Sequence, residues 1–383
     1  MIKTTLLYLA IIMIAFSCNQ QSPKTAIEQP QPPKEMNDNL LNIFIGTYTS
    51  PEGSKGIYQV KLDTEKGEFG QVELVAETVS PSFLALNKDK TKLYAANETV
   101  PDGVVTAFER SEGDTWKSTS KLPSLGDAPC HVTTNDDESI IVVANYVTGN
   151  VTAYPLNSNG DLVDQATTGQ HEGVGPNAAR QEAPHAHFVQ FSKDQKFLYA
   201  VDLGIDEIKA YPVGENGLGE SVTAIQLTPG DGPRHFVFHP TKDIAYIVNE
   251  LTNTVIAANV DIESGQFSEF DRKTTLPEDF TEHSQCAAIK ISKDGRFLYA
   301  SNRGHQSIAI YALAADGSME LLEVTSTEGA WPRDFMLTPD GKHMLVANEQ
   351  SDNIVLFNRD LDTGLLTYSG KQINVSKPVC LIN

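Results

Sequence analysis

GPRHFVFHPTKDIAYIVNEL, residues Gly232–Leu251, holds one copy of the pattern that decides the fold. A Pro-marked strand start, Pro233-Arg234-His235, is followed by a second apolar strand, YIVNEL, which stops at a turn residue, Asn249. Six more second strands flank it: IFIGTY (Ile43–Tyr48), LYAANE (Leu93–Glu98), VVANY (Val142–Tyr146), LYAVDL (Leu198–Leu203), LYASNR (Leu298–Arg303) and LVANEQ (Leu345–Gln350). Their turn residues recur every ~46 to 57 positions, the spacing of four-stranded propeller blades. The chain is therefore expected to be all-β, a seven-bladed propeller over residues 42–383. Strand-forming residues and Gly/Pro punctuation agree with this, and no long stretch has apolar residues at helical spacing.

The matching inner-strand starts are Pro81-Ser82-Phe83, Pro129-Cys130-His131, Ala186-His187-Phe188, Pro233-Arg234-His235, Cys286-Ala287-Ala288, Pro332-Arg333-Asp334 and Pro378-Val379-Cys380. The last start has no second strand after it, and the first second strand has no inner strand before it. Pairing the two would close the ring and leave no open edge.

In antiparallel pairs the start of an inner strand lies beside the end of its neighbour, so both sets share one face of the ring and converge on the channel. The starts offer His131, His185, His187, Arg234, His235, Arg333 and Asp334 to that mouth. Tyr48, Glu98, Tyr146, Glu250, Arg303 and Glu349 come from the strand ends. The repeated Asn97, Asn145, Asn249, Asn302 and Asn348 read as turn residues bonding their own backbone. The positions after them vary from blade to blade, which is where function is expected.

Arg234, Arg303 and Arg333 come from successive blades and are expected to bring donors to one side of the mouth, suited to an anionic group or a developing oxyanion. Each is also a salt-bridge partner in waiting for Glu250, Asp334 or Glu349. His185 and His187, at i and i+2, share a face of an extended segment and suit acid–base work; a metal site completed by Glu250 or His131 is the less favoured alternative. No metal and no cofactor are expected. The longest insertion, Gly169 to Ala183, is rich in Gly and polar residues and reads as a loop over the site, from which Asn177, Arg180 and Gln181 have the reach to enter the channel. Its GxG is no nucleotide fingerprint, since no strand and helix flank it.

The formal net charge of −21 argues against nucleic acid as a partner. Lys3 and the apolar run Leu6 to Phe16 suit a signal-peptide core too short to span a bilayer. Ala15-Phe16-Ser17-Cys18 resembles a bacterial lipoprotein signal, so residues 1–17 are expected to be removed and Cys18 to carry lipid. Residues 18–41, with Gln29-Pro30-Gln31-Pro32-Pro33, read as a disordered tether. An exported monomer, either anchored by that lipid or periplasmic, is expected, with no other membrane contact. Cys130, Cys286 and Cys380 fall in separate repeats at inner-strand starts, where they read as small apolar filler.

Four segments, APHAHFVQFSKDQKFLYAVDLG, GPRHFVFHPTKDIAYIVNEL, ISKDGRFLYASNRGHQSIAIY and WPRDFMLTPDGKHMLVANEQSDNIVLF, closely resemble the seven-bladed propeller lactonase family, whose named members are bacterial 6-phosphogluconolactonases. The resemblance runs from Ile43 to Asn383. Related fungal cycloisomerases are thought to use a His, two Arg and a Glu in the channel. Carried over by motif, these are His187 or His185, Arg234, Glu250 and Arg303. The resemblance implies a sugar lactone opened to an aldonic acid, with Glu250 or His187 activating water and the two Arg stabilising the oxyanion. Around them His131, His185, Arg180, Asn145 and Arg333 are the candidates for substrate binding. The export signal departs from the cytosolic setting of the family's best-known reaction and points to an unphosphorylated sugar lactone, formed outside the cytoplasm by a glucose dehydrogenase. A non-catalytic exported propeller that binds glycan or protein, and a lactone cycloisomerase, are the alternatives.

Overall fold

The computed structural model describes residue 1 and residues 39–111, 114–214 and 217–383. Residues 2–38, which hold all but Met1 of the expected signal sequence, Cys18 and nearly all of the expected tether, lie outside the described residues. Every regular element described from Leu40 onward is a β-strand, and the strands form seven antiparallel sheets.

Blade 5 is representative. Its strands Pro233–Phe238, Ile244–Asn249, Thr254–Val260 and Phe267–Thr274 pair in sequence order from the ring centre outward. All of Ile244–Asn249 is buried, because neighbouring blades cover both faces of the sheet. A strand covered on both faces reads as an unbroken apolar run rather than an alternation, which is why the second strands stand out in the sequence. Seven clusters of buried side chains result, one at each blade-to-blade interface.

The ring closes as the repeat predicts. Pro378–Ile382 forms the innermost strand of blade 1, pairing with Leu40–Thr47 through Leu381 opposite Ile45 and Cys380 opposite Gly46. Gly46 is required there, since a Cβ would lie 2.5 Å from the Pro81 carbonyl oxygen of the next blade.

Each inner strand begins with a β-bulge. Pro233 pairs with Asn249 and His235 with Val248, leaving Arg234 as the extra residue. The same shift leaves Ser82, Cys130, His187, Arg333 and Val379 as extra residues in their blades, and blade 6 carries its irregularity between Cys286 and Ile289. A bulge re-aims a side chain that strict alternation would send elsewhere. Arg234 and His235, adjacent in sequence, accordingly line one small central cavity, as do Arg333 and Asp334.

Four of the five repeated Asn side chains reach out of their own turns, while Asn249 donates to Thr254 Oγ1 across its own turn and Asn302 also reaches Ser307 Oγ. Asn97 donates to Val79 O, Asn145 to Ser124 O, Asn302 to Thr275 O and Asn348 to Thr327 O, all on the segments that enter from the preceding blade. These side chains are almost wholly buried, so the amide must find a partner inside, and the nearest carbonyls belong to the incoming linker. Asn145 is thereby held in the scaffold rather than presented to the mouth.

Candidate active site

Glu250, directly after the turn of blade 5, is the focus of the mouth. Its Oε2 lies 2.7 Å from Arg303 Nη2 and 3.1 Å from Arg234 Nε, and its Oε1 lies 2.5 Å from Arg180 Nη2. Three elements deliver these guanidiniums: the bulge of blade 5, the strand end of blade 6 and the loop before blade 4. Each is fixed a second time, Arg234 donating to Ala287 O (2.7 Å), Arg303 to Cys286 O (2.7 Å) and Arg180 to Gln285 Oε1 (3.1 Å). Burial works against the carboxylate, but Arg303, Arg234 and Arg180 outweigh it and hold Glu250 down at about 2. Burial, with Arg303 and Arg333 nearby, lowers Arg234 to about 9, which leaves it charged at neutral pH.

The insertion expected to cover the site does so through Arg180. The loop is pinned by buried groups: Gln181 donates to Leu203 O and to Asp206 Oδ1, both at 2.8 Å, and His171 Nδ1 lies 2.6 Å from Asp202 Oδ2. A Cβ on Gly204 would collide with the Ala183 carbonyl, so glycine there lets the loop press onto blade 4. Of the three loop residues singled out in the sequence, Arg180 reaches the channel, Gln181 is a clamp, and Asn177 Oδ1 accepts from Ala179 N within the loop itself. The His171–Asp202 anchor is not visible as a motif, the two being 31 residues apart.

His187 is the bulged residue of blade 4. Its ring meets Tyr146 and His235 edge-on, with centroids at 5.5 and 5.3 Å, and its Nδ1 lies 3.7 Å from Cys130 Sγ. Burial and the charges of Arg234 and Arg333 keep it well below the usual imidazole range, hence neutral. His185 does not share its position. It stacks on Tyr146 at 4.5 Å, with its Nδ1 2.9 Å from Tyr146 O. His131 is wedged between Phe83 and Phe188 (4.0 and 4.2 Å) and takes Val189 N–H on Nδ1 at 3.4 Å. Among the described residues no group of three or more His, Cys, Asp or Glu is arranged to hold a metal.

Arg333 does not join Arg234 and Arg303 on Glu250. It turns to the blade 1 and blade 2 side, 5.2 Å over the Tyr48 ring and 3.8 Å from Glu98. Asp334 is held at 2.9 Å from Leu381 N and 3.6 Å from Lys290. Trp331, just before Pro332 and not singled out in the sequence, packs against Arg303 at 5.5 Å. Its place one residue before an inner-strand start was the available signal. Cys130, Cys286 and Cys380 are buried free thiols, and burial raises all three, Cys286 to about 12, which leaves no thiolate for nucleophilic chemistry. A concavity of about 820 Å³ lies between blades 3 and 4 and is lined by the far-side turns around Asp136 and Gln195, away from this chemistry.

A closed seven-bladed ring with a charged, imidazole-lined mouth defines the class, and the chain belongs to the family described as Lactonase, 7-bladed beta-propeller, matched over residues 42–383. It is 39% identical over 341 residues to a Bacillus subtilis protein named 6-phosphogluconolactonase, covering 88% of this chain and 97% of the relative. Among solved structures it resembles the Pseudomonas aeruginosa periplasmic gluconolactonase (29% identity, TM-score 0.83, 90% of this chain and 98% of that one). A Bacteroides fragilis crystal structure is similarly close (35% identity, TM-score 0.84, 91% and 99%). At the level of class, the chain is a lactonase-type hydrolase.

Proposed function

We propose that this protein hydrolyses a sugar lactone to the open-chain aldonic acid at the Glu250 mouth, outside the cytoplasm. The observation that carries the reading is three guanidiniums converging on one buried carboxylate beside a neutral imidazole. Glu250, with both oxygens held by guanidiniums, has no free oxygen to take a proton from water; it serves to hold Arg234 and Arg303 in place. The general base is His187. Water attacks the lactone carbonyl, a C–O bond forms, and the proton passes to His187. The oxyanion of the tetrahedral intermediate is stabilised by guanidinium N–H groups fixed before the reaction begins, an effect worth roughly 3–4 kcal/mol per donor. An imidazolium beside Arg234 and Arg333 is disfavoured, so the proton moves on to the ring oxygen as the C–O bond to it breaks. Release of an acid and a hydroxyl completes the balance.

The test is pH-stat titration of gluconolactone and other aldonolactones, corrected for spontaneous opening. Acceleration that Arg234→Met removes supports the reading; a rate no faster than buffer with every sugar lactone refutes it.

A further inference from the structure

Blades 7, 1 and 2 bring Arg333, Tyr48 and Glu98 together on the arc of the mouth away from Glu250. The Tyr48 hydroxyl lies 3.0 Å from both carboxylate oxygens of Glu98, so it donates to that group. Arg333 lies across the Tyr48 ring and near Glu98 Oε2, and Glu349 acts electrostatically on both Tyr48 and Arg333. As the bulged residue of its blade, Arg333 lines the same cavity as Arg234, which joins this cluster to the reaction centre.

Two features separate the arcs. The Glu250 arc has three guanidiniums around one carboxylate, an excess of positive charge; the Tyr48 arc sets one guanidinium against the Glu98 carboxylate within the field of Glu349, and carries no such excess. The side chains of Glu98 and Arg333 keep 19% and 15% of their exposure, against 4% for Glu250 and 3% for Arg234. Apart from Arg180, itself one-third exposed, the Tyr48 arc is thus more open to a solute than the Glu250 arc. A carboxylate that accepts, a guanidinium that donates and an aromatic ring beside them suit neutral hydroxyl groups on a carbon chain. A phosphate dianion would meet one guanidinium already set against the Glu98 carboxylate, in the field of Glu349, without the surplus of positive charge that the Glu250 arc offers.

We infer that Tyr48, Glu98 and Arg333 form the subsite for the uncharged, hydroxyl-bearing end of the substrate, and that this subsite selects against a phosphate at that position. The inference rests on the lactonase reading above. Three lactones separate the two: gluconolactone, its 6-phosphate, and δ-valerolactone, which lacks the hydroxyls. Full-length protein is expected to favour gluconolactone over the phosphate ester by about tenfold or more in kcat/KM. Glu98→Gln removes the charge at constant shape. It should raise KM for gluconolactone by about tenfold, the worth of a charged hydrogen bond, with kcat little changed, KM for δ-valerolactone unmoved, and the bias against phosphate narrowed. Tyr48→Phe, checked for unchanged circular dichroism, should raise the same KM. A wild-type preference for the phosphate ester overturns the inference, as do equal losses in kcat and KM on all three lactones. Hydrolysis with an unmoved KM in both variants overturns the subsite and leaves the lactonase reading standing; no hydrolysis of any lactone by the wild type overturns both.

Discussion

Lowering the pH from 7.5 to 5.5 should destabilise this protein by about 4 kcal/mol through three buried imidazoles alone. His131, His187 and His235 are each only 5% exposed. Burial is the main cause that holds all three well below the ordinary 6.5, helped by Lys290 and Arg234 at His131, Arg234 and Arg333 at His187, and Arg234 with the other two imidazoles at His235. The folded state therefore binds fewer protons than the unfolded one. With depressed folded values, the stability they contribute is present above 6.5 and is lost as pH falls below it. Between pH 7.5 and 5.5 an unfolded imidazole at 6.5 gains most of a proton, worth ~1.4 kcal/mol, or ~4 kcal/mol for three. Glu250 does not add to this window, because its unfolded value is 4.5 and its own loss comes at lower pH. For a ring of this size the change corresponds to a melting point lower by about 6 °C. Urea unfolding followed by tryptophan fluorescence at the two pH values measures it. His131→Phe, placed between Phe83 and Phe188, should cut the pH dependence by about a third. Equal unfolding free energies at pH 7.5 and 5.5, or a dependence that His131→Phe leaves intact, would refute the claim that these rings are held neutral.

Arg234→Met should lower kcat/KM on the best lactone by about 10²–10³ and also destabilise the fold, since Glu250 loses one of its charge partners in a buried setting; steady-state kinetics and urea titration read the two effects separately. Arg180→Ala, at a side chain one-third exposed, should cost about tenfold in kcat/KM with little change in melting temperature. Deleting residues 378–383 removes buried Val379, Cys380 and Leu381, ~1.5–3 kcal/mol each, which together approaches the whole stability of a typical domain; size-exclusion chromatography should show aggregate rather than monomer. Iodoacetamide at pH 8 should leave Cys130, Cys286 and Cys380 unmodified in native protein and label all three in urea, as mass spectrometry of tryptic peptides will report.

Reading the chain as a repeat was enough for the number of blades, their order and the closure of the ring. Each second strand is covered on both faces, so burial writes a continuous apolar run into the sequence, and equal spacing makes the runs countable. The same alignment gathered Arg234, Glu250 and Arg303 at one mouth, because antiparallel pairing forces strand starts and strand ends together. Spacing carries no information about direction, however. Arg234, Arg303 and Arg333 are equivalent donors in the sequence; folded, two converge on Glu250 while the third crosses to Tyr48 and Glu98. The bulges that turn Arg234, His187 and Arg333 inward depend on backbone register, which no residue pattern reveals. Asn97, Asn145, Asn302 and Asn348, read as local turn formers, tie their blades to the linker before them, since burial leaves their amides the partners that the assembled ring supplies, while Asn249 stays within its turn on Thr254.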